Sequence, residues 1–153
     1  MVDLAEFYKK YSILEIYTLV HHPSSRRKNR EGGIAGVQFQ NAYVDKLQRE
    51  YPFCKDMWDK DIFSKFKILY DDPPKQLTEQ EDGSLKFKEK IVVEDWDTFI
   101  DSFRQVRNNI SHGAKYLNGF QELGLDERGG ELVEAALSFI EFLEKKIIKV
   151  ELH

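Results

Sequence analysis

The sequence predicts an all-α fold: a bundle of four main helices in one domain over residues 1–153, with a polar insertion around residues 71–93 that has the pattern of a β-hairpin. Three observations support this. Apolar residues recur at three- and four-residue spacing in four separate segments. Gly, Pro, Asn, Asp and Ser gather between those segments. No internal repeat, interdomain linker or low-complexity tract divides the chain.

The first helix is expected over 3–20, where Leu4, Phe7, Tyr8, Tyr11, Leu14 and Tyr17 share one face and Asp3 stands at the N-cap position. Pro23, Ser24 and Ser25 end it. The basic run Arg26 to Arg30 and the pair Gly32-Gly33 then make 21–33 read as an exposed loop. A second helix is expected over 34–51, with Ile34, Val37, Val44, Leu47 and Tyr51 on one side and Pro52 as its stop. Residues 53–70 are rich in aromatics (Phe53, Trp58, Phe63, Phe66, Tyr70) and suit a short helix. In the insertion, Asp82-Gly83 lies between Leu77 and the alternating Leu85 and Phe87, which is the signal of a tight hairpin turn. Strand content is expected only there.

Two longer helices follow. Over 94–112, Trp96, Phe99, Ile100, Phe103, Val106 and Ile110 form one stripe. Over 131–150, Leu132, Val133, Ala136, Leu137, Ile140, Leu143 and Ile147 form another. Gly113, Gly119, Gly124 and Gly129-Gly130 mark a loop between them.

With 153 residues, 41% hydrophobic and 13% aromatic, the chain can bury one sizeable core. A net charge of −4 excludes a protein that coats polyanions along its whole surface, because an acidic body repels phosphates at long range. Any nucleic-acid contact must therefore be local. The start Met-Val-Asp-Leu-Ala-Glu lacks the basic and apolar regions of a signal peptide, and no apolar run reaches the ~18 residues needed to span a bilayer. The expectation is a cytoplasmic protein with no membrane partner. Cys54 stands alone, so no internal disulfide is expected, and it suits a small core position.

One residue breaks the pattern. In projection Arg107 falls within the apolar stripe of the 94–112 helix, where a guanidinium is costly unless it is paired, snorkels to solvent or faces a partner surface. It opens a polar run ending at His112-Gly113. At ~100° per residue, His112 lies ~140° from Arg107 on a regular helix, so the two share no face. Either Gly113 ends the helix and frees the His112 ring, or a two-fold dimer brings two copies of the segment together.

The run Val106-Arg107-Asn108-Asn109-Ile110-Ser111-His112-Gly113-Ala114-Lys115 resembles the V-R-N-N-x-x-H-G-x-K pattern of the Apea-like branch of the HEPN superfamily, whose broader motif is R-x(4–6)-H. The match covers about ten residues, and the helical layout extends it loosely over most of the chain. The insertion around 71–90 departs from a minimal four-helix HEPN unit. The resemblance implies a metal-independent endoribonuclease of toxin or defence type with no cofactor. It also implies a homodimer whose two motifs share one cleft, and an antitoxin or regulatory protein as a further partner. Arg107, His112 and Asn108 become the candidate catalytic residues. Lys115, Tyr116 and Arg104 are candidate RNA contacts, as are Arg26 and Arg27, against the alternative that these are solvated loop residues. A tyrosine two residues after the histidine is a modification site in another branch; Ala114 stands there, so that role does not transfer.

The residue types suit that chemistry. A neutral imidazole exchanges protons near neutral pH. A guanidinium presents a planar fork to phosphate oxygens and keeps its charge as negative charge builds. Asn108 would hold the scissile group or orient the histidine. The alternatives are a catalytically silent HEPN domain that binds RNA or protein, and an unrelated helical adaptor. His21-His22 have no spaced companions for a metal site, and Gly32-Gly33…Gly36 lacks the lysine and hydroxyl of a phosphate loop, so both read as turns.

Overall fold

The computed structural model describes residues 3–115 and 127–152. They form a mainly helical body with two small antiparallel hairpins. Helix α1 (Leu4–His21) starts where expected: the Asp3 carboxylate accepts from the Glu6 amide at 3.1 Å, filling one of the orphan N–H groups of the first turn. Strands β1 (Arg26–Lys28) and β2 (Ile34–Val37) follow, then α2 (Phe39–Glu50). A 3-10 turn (Lys55–Asp59) and two single-turn helices, α3 (Asp61–Ser64) and α4 (Ile68–Asp71), carry the aromatic-rich segment. The hairpin β3 (Lys75–Glu79) and β4 (Leu85–Lys90) precedes the long α5 (Trp96–Lys115). Helix α6 (Glu127–Phe142) ends in a π turn (Leu143–Ile148).

The hairpin around Asp82-Gly83 is present as expected; its register sets Leu77 opposite Phe87, and Gly83 has a φ of 86°. Four other expectations are corrected. Residues 26–37 are a hairpin and not a loop followed by helix, so strand is not confined to the 71–93 insertion and α2 begins at Phe39 rather than Ile34. Its turn is closed by Asn29, whose side-chain oxygen accepts from the Glu31 and Gly33 amides at 3.0 and 2.9 Å. Gly129 and Gly130 lie inside α6, not in a loop. Helix α5 passes through Gly113 to Lys115 instead of ending there. Cys54 is exposed, so it is no core residue.

The core is a continuous aromatic cluster between α5, α6 and the 3-10 segment. Phe139 packs its ring against Phe66, Phe99 and Phe103 at 4.9–5.3 Å, all tilted by 64–71°. Such edge contacts satisfy the ring quadrupoles. Two polar groups drawn into this core find backbone partners: the Trp96 indole donates to the Tyr51 carbonyl at 2.8 Å, and the Ser102 hydroxyl to the Leu69 carbonyl at 2.7 Å, whereas the buried Trp58 indole N–H has no partner among the described residues. Between α1 and α2, Tyr43 donates to the Thr18 hydroxyl at 2.6 Å while Thr18 donates to the Leu14 carbonyl at 2.7 Å. Burial pushes the Tyr43 hydroxyl up to about 12.

The Phe139 side chain is fully buried, whereas Phe87 on β4 is 42% exposed. Phe139→Ala is expected to lower unfolding free energy by about 3–5 kcal/mol in urea titrations, and Phe87→Ala by less than about 1 kcal/mol. Equal losses would show that the core lies elsewhere.

Candidate active site

Of the candidate residues, Arg104 and Arg107 lie along the seam where α5 crosses α1. The two helices run antiparallel there, because Tyr8 meets Ser111 (hydroxyl oxygens 3.5 Å apart) while Tyr11 meets Arg107. Trp96, Phe99, Ile100, Phe103, Val106 and Ile110 of α5 are buried as expected. Arg107 is only half-buried, at the flank of that stripe. Its guanidinium carbon stands 5.8 Å from the centre of the Tyr11 ring, a cation–π contact. Of the options open to this arginine, the chain itself supplies a pairing: its aromatic partner lies on α1.

Tyr11 is held from behind. Its ring stacks on Phe103 at 5.3 Å and meets the Phe39 edge at 5.6 Å. Burial, with the nearby Glu15 carboxylate, pushes its hydroxyl far above the ordinary value of 10, while Arg104 and Arg107 pull the other way. The hydroxyl therefore stays protonated at physiological pH. Glu15 lies one turn after Tyr11 on α1 and is half-buried; burial raises its carboxyl above the ordinary 4.5 against the pull of Arg107 and then Arg104. Arg104 is half-buried one turn before Arg107 and also acts on Asp101, whose carboxyl burial raises. Asp101 is itself engaged by the Gln40 amide at 2.7 Å. Among the described residues, neither Arg104 nor Arg107 forms an ion pair within 4.0 Å.

The two asparagines have different surroundings. Asn109 is structural: its side-chain oxygen accepts from Gln105 at 2.7 Å and its amide donates to the Lys75 carbonyl at 2.7 Å, fixing the base of the β3–β4 hairpin to α5. Asn108 is half-buried beside the arginines. Because α5 is helical through Gly113, position 112 lies ~140° round the axis from Arg107 and ~60° from Asn109. It therefore belongs to the hairpin side of the helix, away from α1. The side chains of His112 and Lys115, and the whole of Tyr116, lie outside the described residues.

Arg26 and Arg27 are not gathered into this seam. Both are exposed on β1, and Arg26 donates to the Leu19 carbonyl at 2.8 Å, about 12 Å along α1 from Tyr11 at 1.5 Å per residue. His21 and His22 pack on Tyr17 and Tyr43 at 4.3 and 5.3 Å. Among the described residues no three His, Cys, Asp or Glu side chains gather as a metal site, and no helix is long and apolar enough to cross a membrane.

The sequence reading missed Tyr8, Tyr11, Glu15 and Ser111 as neighbours of the site. The one signal available was that Tyr11 and Glu15 stand four apart on a helix that must pack against the arginine-bearing one. No family model, curated protein or solved structure matches the chain.

Since folding raises the Glu15 carboxyl above its unfolded value, ionising it opposes folding. The penalty is absent below about pH 4.5, the ordinary Glu value, and grows as pH rises through the higher folded value. Glu15→Gln should thus melt higher than the parent at pH 7, with the gap closing towards pH 4. A Glu15→Gln protein that melts lower than the parent at pH 7, with the deficit vanishing on acidification, would show that the arginines, not burial, dominate Glu15.

Proposed function

We propose that the chain is a HEPN-type, metal-independent endoribonuclease of toxin or defence type that works as a homodimer in the cytoplasm. The observation that carries the reading is the pair Arg104 and Arg107. These are half-buried guanidiniums with no carboxylate within 4.0 Å among the described residues, one of them oriented by an aromatic ring and opening the segment Arg107-Asn108…His112. Guanidiniums held this way are ready to receive a phosphate, since their donors need not first be released from an ion pair.

In the proposed reaction the ribose 2′-oxygen attacks the neighbouring phosphorus. Its proton passes to a base, the 5′-oxygen leaves and takes up a proton, and a 2′,3′-cyclic phosphate remains. His112 serves as the proton-transfer group, Arg107 with Arg104 clamps the non-bridging oxygens, and Asn108 positions the scissile group. Since position 112 and Arg107 lie on different sides of α5, the pair is assembled in trans, with Arg107 of one protomer meeting His112 of its partner across a two-fold axis. RNA is the substrate, Lys115 and Tyr116 continue its track, and an antitoxin or regulatory protein would act by covering the cleft.

A second reading is a silent HEPN module that binds RNA or protein. It draws support from Asn109, whose side chain is spent on the hairpin, and from Tyr11, which gives Arg107 an ordinary structural partner.

Labelled RNA incubated with the protein in EDTA separates the two. Cleavage should persist, leave 2′,3′-cyclic ends and stop when the scissile ribose is 2′-deoxy. His112→Ala and Arg107→Ala should each lower the rate by about 10²–10⁴, compared at matched dimer fraction. Arg107→Lys should stay impaired, because it keeps the charge but not the planar fork. Full activity in His112→Ala, or activity only with added divalent metal, would remove the nuclease reading.

A further inference from the structure

The β3–β4 hairpin carries a charge pattern that its sequence conceals. Residues 75–90 contain four lysines and four acidic residues, so the segment is neutral as a string. The fold sets three of the four acidic residues apart from the β4 lysines. Glu79, Glu81 and Asp82 lie at or next to the turn. Lys86, Lys88 and Lys90 alternate along β4 and so share one face, on which Thr78 lies directly opposite Lys86. Phe87 and Glu89 project from the other face.

Lys90 is already engaged: with Arg128 it pairs with the Asp72 carboxylate and holds it below its ordinary value, anchoring the hairpin base. Lys86 and Lys88 are exposed and have no ion pair among the described residues. With Gln76, Thr78 and Gln80 they line an open depression of about 600 Å³, alongside Phe87 and Glu89. Among the described residues, the outer edge of β4 has no neighbouring strand. The Asn109–Lys75 bond sets this arm on the side of α5 that bears position 112.

We propose that the Lys86–Lys88 face of the β3–β4 hairpin is a phosphate-tracking arm that binds single-stranded RNA beside the candidate site. The identity of the polyanion rests on the ribonuclease reading above; the arm itself rests on the segregation of charge. An acidic protein needs its positive charge in one place to hold RNA, and here two lysines without an ion pair among the described residues stand two residues apart beside Gln76, Thr78 and Gln80, with Glu89 the one acidic residue lining the depression.

Fluorescence anisotropy with a labelled unstructured RNA in EDTA, repeated over a series of salt concentrations, tests the arm apart from cleavage. Each phosphate neutralised on a single strand contributes about 0.7 to the slope of log Kd against log salt, so Lys86→Gln with Lys88→Gln should lower the slope by about 1.4. The double arginine variant should keep the slope, which excludes a folding defect as the cause. Lys55→Gln with Lys60→Gln, exposed lysines outside the hairpin, should also keep it. An unchanged slope in the hairpin glutamine variant, an equal drop in the Lys55/Lys60 control, or no RNA binding by the parent protein would each overturn the arm. Arm-dependent binding without any cleavage would uphold the arm and reject the nuclease, whereas cleavage with an unchanged slope would do the reverse.

Discussion

Helix α5 must satisfy two demands that conflict. Its apolar stripe closes the aromatic core, yet arginines at its flank have to stay charged and accessible. The Tyr11 ring meets both demands. One side of it stacks on Phe103 as part of the core, and the Arg107 guanidinium lies 5.8 Å from its centre. A cation–π contact of this kind is worth only about 0.5–2 kcal/mol, far less than the burial of the rings around it. It contributes little to holding the fold together; its effect is to set where the guanidinium stands. The packing of α1 on α5 comes first, and the position of the charge follows from it.

The same packing limits how a site can be built. Arg104, Arg107 and Ser111 face α1, while Asn109 faces the β3–β4 hairpin and is bonded to it. Ser111 and Asn109 thus tie two sides of α5 to two different elements. In the composite dimer site we propose, each protomer would offer its arginines on one side of α5 and position 112 on the other. Glu15 adds a carboxyl beside the arginines, raised above its ordinary value by burial and pulled back by Arg107 and then Arg104.

How much of this was legible in the sequence follows from the range of the interactions involved. Asp3 as a cap and Asp82-Gly83 as a turn were readable because a few adjacent residues decide each of them. The β1–β2 hairpin was not, since β1 is three exposed residues with no alternating pattern. Gly113, Gly129 and Gly130 misled because each disfavours helix by only about 1 kcal/mol, which tertiary packing readily outweighs. The arginines and the candidate motif were visible as residue types. That Tyr11 and Glu15 stand against them was not, because contacts nearly a hundred residues apart leave no mark in a single sequence.

The central claim, that Arg107 and His112 act across a two-fold axis, is tested most directly by complementation between inactive subunits. Arg107→Ala and His112→Ala proteins would be mixed in equal amounts, allowed to exchange, and assayed for RNA cleavage. If the pair forms in trans, half of the dimers are mixed and each mixed dimer holds one intact site, so activity should return to about a quarter of the parent value. A mixture as inactive as either variant alone would place both residues in one protomer and contradict the account.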